Sequence, residues 1–148
     1  MIDFNKHYTH VLVIGNGFDL NLGLKTSYFD FLKSPQFESL IYIKKNKLSV
    51  YLKEAHDAKL WIDVENELKQ FSKQRTEDFE AEYEDLCLAL MEYLKGLDYN
   101  DINKESKAYQ LIKDIRFKDF LILDFNYTDS IVSILDDFGL GHFANEKI

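Results

Sequence analysis

The feature that most constrains this chain is an apolar run that ends in a glycine-rich turn near the N-terminus. Residues 10–14, "HVLVI", are β-branched and almost wholly apolar, which is typical of a strand buried on both faces of a parallel sheet. Gly15-Asn16-Gly17 follow, and apolar residues at helical spacing begin at Phe18. A strand that enters a helix through small residues is either a binding turn for a phosphate group or only a tight corner. The run by itself leaves both interpretations open.

The glycine spacing excludes two familiar nucleotide-binding motifs. The pattern is Gly15-x-Gly17-x5-Gly23, whereas the dinucleotide fingerprint G-x-G-x-x-G would place its third glycine at Leu20. A P-loop is excluded because no Gly-Lys-Ser/Thr follows. A phosphate group would therefore be held by backbone N–H groups in a turn of another kind.

A second polar segment, "DFNYTD" at residues 124–129, follows an apolar run at 120–123 that predicts another buried parallel strand. Ligands of open α/β sheets bind beyond the carboxyl ends of the strands. If the two strands are neighbours, Asn126 lies close to the glycine turn. Asn126 then holds a ribose hydroxyl or orients a water, or it only caps the next helix.

The rest of the sequence is mainly helical. Thr26-Ser27 is expected to cap a short helix that Pro35 ends. Further helices are expected within 36–60, as an amphipathic pair over 61–97 with a break near 73–76, at 104–116 and at 129–139. This order predicts a single α/β domain over 1–148, a Rossmann-like three-layer parallel sheet with a predominantly helical insertion at 36–118.

Composition limits the classes of partner. The 18 basic and 26 acidic side chains give a net charge of −8, which argues against a nucleic-acid partner. Cys87 is the single cysteine, and the four histidines show no close metal-ligand spacing, so we predict no metal site. No apolar run approaches the roughly 20 residues that span a bilayer. With no signal peptide evident either, we predict a cytoplasmic protein that does not enter a membrane.

Two acids, Asp63 and Glu65, follow the single tryptophan, Trp61. Residues two apart on a helix point to different sides, so these carboxylates do not form a facing acid/base pair. Their spacing favours acids at the start of a helix.

Three segments together resemble the AbiH family, bacterial proteins associated with abortive infection of phage-infected cells. They are "GNGFDLNLGLKTSY", the stretch "WIDVENEL" at 61–68, and "FNYTD" downstream. More distantly, the glycine spacing is similar to the opening of the sirtuins, and Asn126 falls on their motif asparagine. Sirtuin-like folds bind NAD on a Rossmann-type sheet, and some bacterial defence proteins of this fold hydrolyse NAD.

The resemblance implies that NAD or a related nucleotide binds at the Gly15–Gly17 turn, and that a catalytic member cleaves the N-glycosidic bond to nicotinamide. Asn126 would position the ribose and an attacking water, and His142 would serve as the base. The implied nucleotide-binding residues are Gly15, Asn16, Gly17, Phe18, Asp19, Gly23, Thr26 and Asn126.

Departures from the pattern leave an alternative open. Sirtuins carry a His-Gly pair after the asparagine motif, whereas Phe143 follows His142 here. The zinc-ribbon cysteines of sirtuins are absent, which disfavours a deacylase. Family members are usually longer. The alternative is a truncated, non-catalytic module that binds a nucleotide or another protein and forms a homo-oligomer through its long amphipathic helices and its incomplete sheet.

Overall fold

The structure is a computed structural model, which describes residues 7–59, 63–73 and 78–140. Helices dominate this part of the chain. In chain order the elements are β1 His10–Ile14, α1 Asn16–Asn21, α2 Tyr28–Phe31, α3 Pro35–Tyr42, α4 Lys47–Lys59, α5 Val64–Ser72, α6 Phe79–Lys95, a 3-10 turn Tyr99–Asp101, α7 Lys107–Ile115, β2 Phe120–Asp124 and α8 Ser130–Asp137.

The chain divides into two compact units. The sheet unit comprises Met1–Thr26 and Leu97–Ile148, and the helical unit is Ser27–Gly96. Each unit has a hydrophobic core of its own within the described residues. The helical unit overlaps the predicted insertion at 36–118 over residues 36–96.

β1 and β2 pair in parallel, with His10 opposite Phe120 and Ile14 opposite Asp124. Side chains alternate between the two faces of a strand, so every second residue points to the same side. Leu12, Ile14, Phe120 and Ile122 belong to the core of the sheet unit, which α7 and α8 complete with residues such as Ile112 and Ile134. The two predicted parallel strands are confirmed, and they lie side by side, which is the condition that places Asn126 near the glycine turn.

The predicted Rossmann-like three-layer sheet is wrong. The described residues form one small sheet of two strands in a mostly helical chain. A three-layer sheet covers both faces with helices, but Val11 and Val13 on the second face of β1 are 60% and 62% exposed. The reason lies between the strands, where successive helices pack on one another in the helical unit instead of alternating with further strands.

The helical unit is built around α3, α4 and α6. Phe37, Leu48 and Leu52 are almost completely buried in its core. The helices predicted within 36–60 and the pair within 61–97 are confirmed as α3 to α6. Residues 74–76 of the predicted break lie outside the described ranges.

Serine caps explain where two of the short helices begin. The Ser27 hydroxyl accepts a hydrogen bond from the Asp30 backbone N–H at 3.1 Å, which confirms the predicted cap of α2. Pro35 does not end that helix. It occupies the first turn of α3 behind the Ser34 cap, where a residue without an N–H loses no helical hydrogen bond.

Within the described ranges, none of the helices combines the length and the apolar character that crossing a membrane requires.

Candidate functional site

The turn after β1 is open around two of its glycines. Gly15 has an extended backbone (φ −150°, ψ −170°), which any residue adopts. A Cβ built on Gly15 or on Gly17 would meet no atom within 4 Å. The described fold therefore needs glycine at neither position, and the backbone is accessible there at close range. Gly23 differs, because its φ of +86° is a left-handed backbone conformation that favours glycine, so the fold itself accounts for this glycine.

Asp19 on α1 is the centre of a buried polar cluster. Its side chain is 1% exposed, and its carboxylate accepts hydrogen bonds from three side chains of the segment after β2. The Thr128 hydroxyl lies 2.6 Å from Oδ2, while the Ser130 hydroxyl and the Asn126 Nδ2 lie 2.5 Å and 3.2 Å from Oδ1. These bonds join the first turn of the sheet unit to the loop that leads into α8.

Burial and hydrogen bonding shift the pKa of Asp19 in opposite directions. Burial raises the pKa of the Asp19 carboxyl above its usual 3.8, while the hydrogen bonds from Ser130 and Thr128 act to lower it. Burial is the larger effect. Thr128 and Ser130 are themselves 3% and 0% exposed, so their hydroxyls need this carboxylate as an acceptor.

Asn126 is held from two sides. Its backbone N–H donates to Asp124 Oδ1 at 2.9 Å, and its side-chain amide nitrogen donates to Asp19. Because an ionised carboxylate only accepts hydrogen bonds, it selects the nitrogen end of the amide and turns the oxygen of Asn126 away from Asp19. The half-buried Asn126 thus presents an oriented carbonyl oxygen.

The strand ladder brings the Asn126 segment beside the glycine turn. The Phe125 backbone N–H donates to the Ile14 carbonyl at 3.0 Å, one residue before Gly15. Phe125 and Tyr127, on either side of Asn126, are 72% and 89% exposed. The carboxyl edge of the two strands therefore gathers an open turn, an oriented amide and two exposed aromatic rings, and we call this set the edge site: Gly15, Gly17, Asn126, Phe125 and Tyr127.

The remaining residues predicted for nucleotide binding have varied positions. Asn16 begins α1 and is exposed, whereas Phe18 is half-buried against the core of the sheet unit. Thr26 is half-buried, and its hydroxyl has no hydrogen-bond partner among the described residues. His142, predicted as the base, lies outside the described residues.

Sequence reasoning missed Thr128 and Ser130 as partners of Asp19. The nearest signal was the cluster of polar residues that follows the second apolar run, since Asn126, Thr128 and Ser130 all lie just beyond the end of β2. The N-cap position of α8 is Asp129, whose side chain makes no capping bond.

A second buried acid, Glu67, lies in the helical unit. It is 6% exposed and accepts hydrogen bonds from the Tyr51 hydroxyl at 2.6 Å and the Lys59 ammonium at 2.5 Å. The Lys59 bond, followed by the Tyr51 bond, lowers the pKa of Glu67. Sequence reasoning singled out Asp63 and Glu65 in this stretch. Asp63 caps α5 as expected of a helix-start acid, and the acid that pairs with a base is Glu67.

No group of three or more histidine, cysteine or acidic side chains within 7–59, 63–73 and 78–140 is arranged to hold a metal ion.

These features define a class of protein: a mostly helical chain with a small parallel sheet that places a glycine turn beside a polar loop. A family model described as "Bacteriophage abortive infection AbiH" matches residues 11–115. The chain belongs to the AbiH family, which confirms the resemblance predicted from the sequence. A search of curated proteins and a search of solved structures each found no match.

The matched range includes the Gly15–Gly17 turn, Asp19 and the "WIDVENEL" stretch. It ends before β2, so Asn126 and its neighbours lie beyond it. The more distant likeness to sirtuins has no support in these comparisons and stays a prediction.

Proposed function

We propose that this AbiH-family chain contributes to abortive infection by binding a nucleotide at the edge site, with NAD as the ligand. Family membership supports the role in phage defence. The ligand rests on the arrangement of the edge site and on the resemblance in the glycine turn. The turn takes the phosphate groups, and Asn126 accepts a hydrogen bond from a ribose hydroxyl.

The open space at Gly15 and Gly17 is the observation that carries this proposal. Neither residue has a backbone conformation that requires glycine, and neither faces a protein atom that a Cβ would meet. A phosphate group binds most closely to backbone N–H groups where no Cβ stands in the way. The space that a Cβ would fill is thus available to a ligand.

Asp19 supports the proposal as a positioning residue. It is buried, so it does not reach a ligand itself, but it holds the Asn126 amide in one orientation. A hydrogen-bonding group fixed in advance loses little conformational entropy when a ligand binds.

We further propose that the reaction, in a catalytic chain, is hydrolysis of NAD. Water attacks the ribose carbon of the N-glycosidic bond, and nicotinamide leaves with the electron pair of that bond. Asn126 orients the ribose, and His142 accepts the proton of the water. The products are nicotinamide, ADP-ribose and one proton. The part assigned to His142 rests on the sequence alone.

Binding without turnover is the second candidate. The burial of Asp19 favours it, since this carboxylate is 1% exposed and is bonded to three neighbouring side chains, so it orients those neighbours and is shielded from an attacking water. In this second version the chain self-associates. The interface includes the exposed side chains of Val11 and Val13 on β1. Measuring its mass by light scattering with and without NAD tests the self-association.

The first experiment measures thermal unfolding with and without NAD. A ligand that binds only the folded state stabilises it, by about 2.7 kcal/mol at a hundred times its Kd. Gly15→Ala should unfold like the wild type without ligand, because its Cβ enters open space, and should lose the stabilisation by NAD. Gly96→Ala, a matched change in the helical unit, should keep it.

Two results would contradict the binding proposal. One is a wild type whose melting temperature does not respond to millimolar NAD. The other is a Gly15→Ala variant that NAD stabilises as strongly as the wild type, which would place the ligand elsewhere. Nicotinamide release separates the two candidates: release that Asn126→Ala and His142→Ala both abolish supports hydrolysis, and stabilisation without release supports the binding module.

A further inference from the structure

We propose that Phe125 and Tyr127 form a stacking platform for the planar heteroaromatic ring of the ligand. This inference rests on the proposed function and adds the part of the ligand that the glycine turn and Asn126 do not contact. The platform would make the site selective for nucleotides over sugar phosphates.

The exposure of the two rings is the first observation. Phe125 is 72% exposed and Tyr127 is 89% exposed, while Thr128 beside them is 3% exposed. Within the described part of the chain, neither ring contacts another ring or a cation. Phe117, which is also exposed, has the Arg116 guanidinium 4.2 Å from its ring centroid. Phe125 and Tyr127 therefore offer free aromatic faces.

The backbone that carries the rings is held in place. Phe125 is fixed to the end of β1 by its bond to the Ile14 carbonyl. On either side of Tyr127, Asn126 and Thr128 are bound to the buried Asp19. The rings thus stand on an anchored segment, so a ligand that stacks on them does not have to order a loose loop first.

The position of the platform defines the chemical class of the ligand. Phe125 stands beside the open Gly15 turn across the strand ladder, and Asn126 lies between the two rings in sequence. A molecule that contacts all three features needs a phosphate, a sugar hydroxyl and a planar ring. Nucleotides have these parts together. The ring is either adenine or nicotinamide, which share the chemistry of stacking.

The test measures affinity by titration calorimetry for four ligands: NAD, adenosine monophosphate, nicotinamide mononucleotide and ribose 5-phosphate. Phe125→Leu and Tyr127→Leu remove the ring and keep apolar volume, and both side chains are exposed, so folding should not change. Loss of a stacked ring should weaken NAD binding about tenfold. Tyr127→Phe retains the ring and should bind NAD like the wild type. Ribose 5-phosphate should bind all variants equally.

The two mononucleotides identify the ring. If the leucine variants weaken adenosine monophosphate, the platform holds adenine, and if they weaken nicotinamide mononucleotide, it holds nicotinamide. Leucine variants that bind every ligand as tightly as the wild type would overturn the platform and leave the proposed function standing. A wild type that binds none of the four ligands would overturn both proposals.

Discussion

Asp19 is a buried carboxylate that accepts hydrogen bonds from three side chains, and both its burial and these bonds affect the stability of the folded protein. Its raised pKa means that the folded state binds the proton of Asp19 more tightly than the unfolded state does, where the value is about 3.8. The stabilisation from this proton is complete below pH 3.8 and is lost as the pH rises through the higher folded-state pKa.

We expect Asp19→Asn to reveal this dependence. Asparagine does not titrate, so it removes the pH dependence of this position. Its oxygen still accepts hydrogen bonds from Ser130 and Asn126, and the Thr128 hydroxyl turns to accept one from the new NH2 group. The free energy of unfolding of the wild type, relative to Asp19→Asn, should therefore fall as the pH rises from 3.8 toward neutrality. Urea unfolding over that range measures it, and a constant difference would contradict the burial effect.

Asp19→Ala provides the comparison for the hydrogen bonds. It leaves the buried hydroxyls of Thr128 and Ser130 without their acceptor. Each unsatisfied hydroxyl lowers the free energy of unfolding by about 1–3 kcal/mol. The alanine variant should be less stable than Asp19→Asn by about 3 kcal/mol.

At the scale of the element, the start of α4 depends on contacts with another helix. Asn46 precedes α4 and is 3% exposed, and its side-chain oxygen accepts from the Ser49 backbone N–H at 2.8 Å. Its amide nitrogen donates to the Glu82 carbonyl of α6 at 2.9 Å, and the Glu82 carboxylate accepts from the Lys47 N–H at 3.1 Å. One residue thus caps α4 and attaches it to α6.

Asn46→Ala should destabilise the protein by about 2 kcal/mol, because it removes a helix cap and leaves buried groups without partners. Asp63→Ala is the matched change, since Asp63 caps α5 through one bond of 3.1 Å at an exposed position. Its cost should be about 1 kcal/mol or less. If chemical denaturation finds Asp63→Ala as damaging as Asn46→Ala, the attachment to α6 contributes nothing.

At the scale of the whole molecule, the two units have separate cores, and the helical unit is continuous in sequence. Residues 27–96 contain every member of the core around Phe37, Leu48 and Leu52. A chain of this size has just enough buried surface to fold alone. We expect the fragment 27–96 to be helical and to unfold cooperatively in urea, followed by circular dichroism.

Two substitutions in the fragment test whether its native core forms. Phe37→Ala, at a fully buried position, should lower the free energy of unfolding by about 3–5 kcal/mol and abolish cooperative unfolding. Tyr42→Ala, at a side chain that is 67% exposed, should have little effect. A fragment that unfolds gradually, or that tolerates Phe37→Ala, would contradict an independent core.

Local signals predicted the elements well. The apolar run at 10–14, the Ser27 cap and the periodic helices correspond to β1, α2 and α3 to α6. Each of these depends on hydrogen bonds and side-chain spacing within a few residues. The layer structure was not predictable in the same way. The order of strands and helices along the chain does not determine whether the intervening helices cover a sheet or pack on one another.

The sequence by itself determined the two strands, their helices and the membership of the AbiH family. The tertiary structure decided the partners of Asp19, which are 107 to 111 positions away along the chain, and the exposure of Phe125 and Tyr127. The physical reason is that burial and long-range hydrogen bonds arise only when the chain returns to place β2 beside β1. The same acid in an unpaired strand-to-helix turn would be a solvated surface charge.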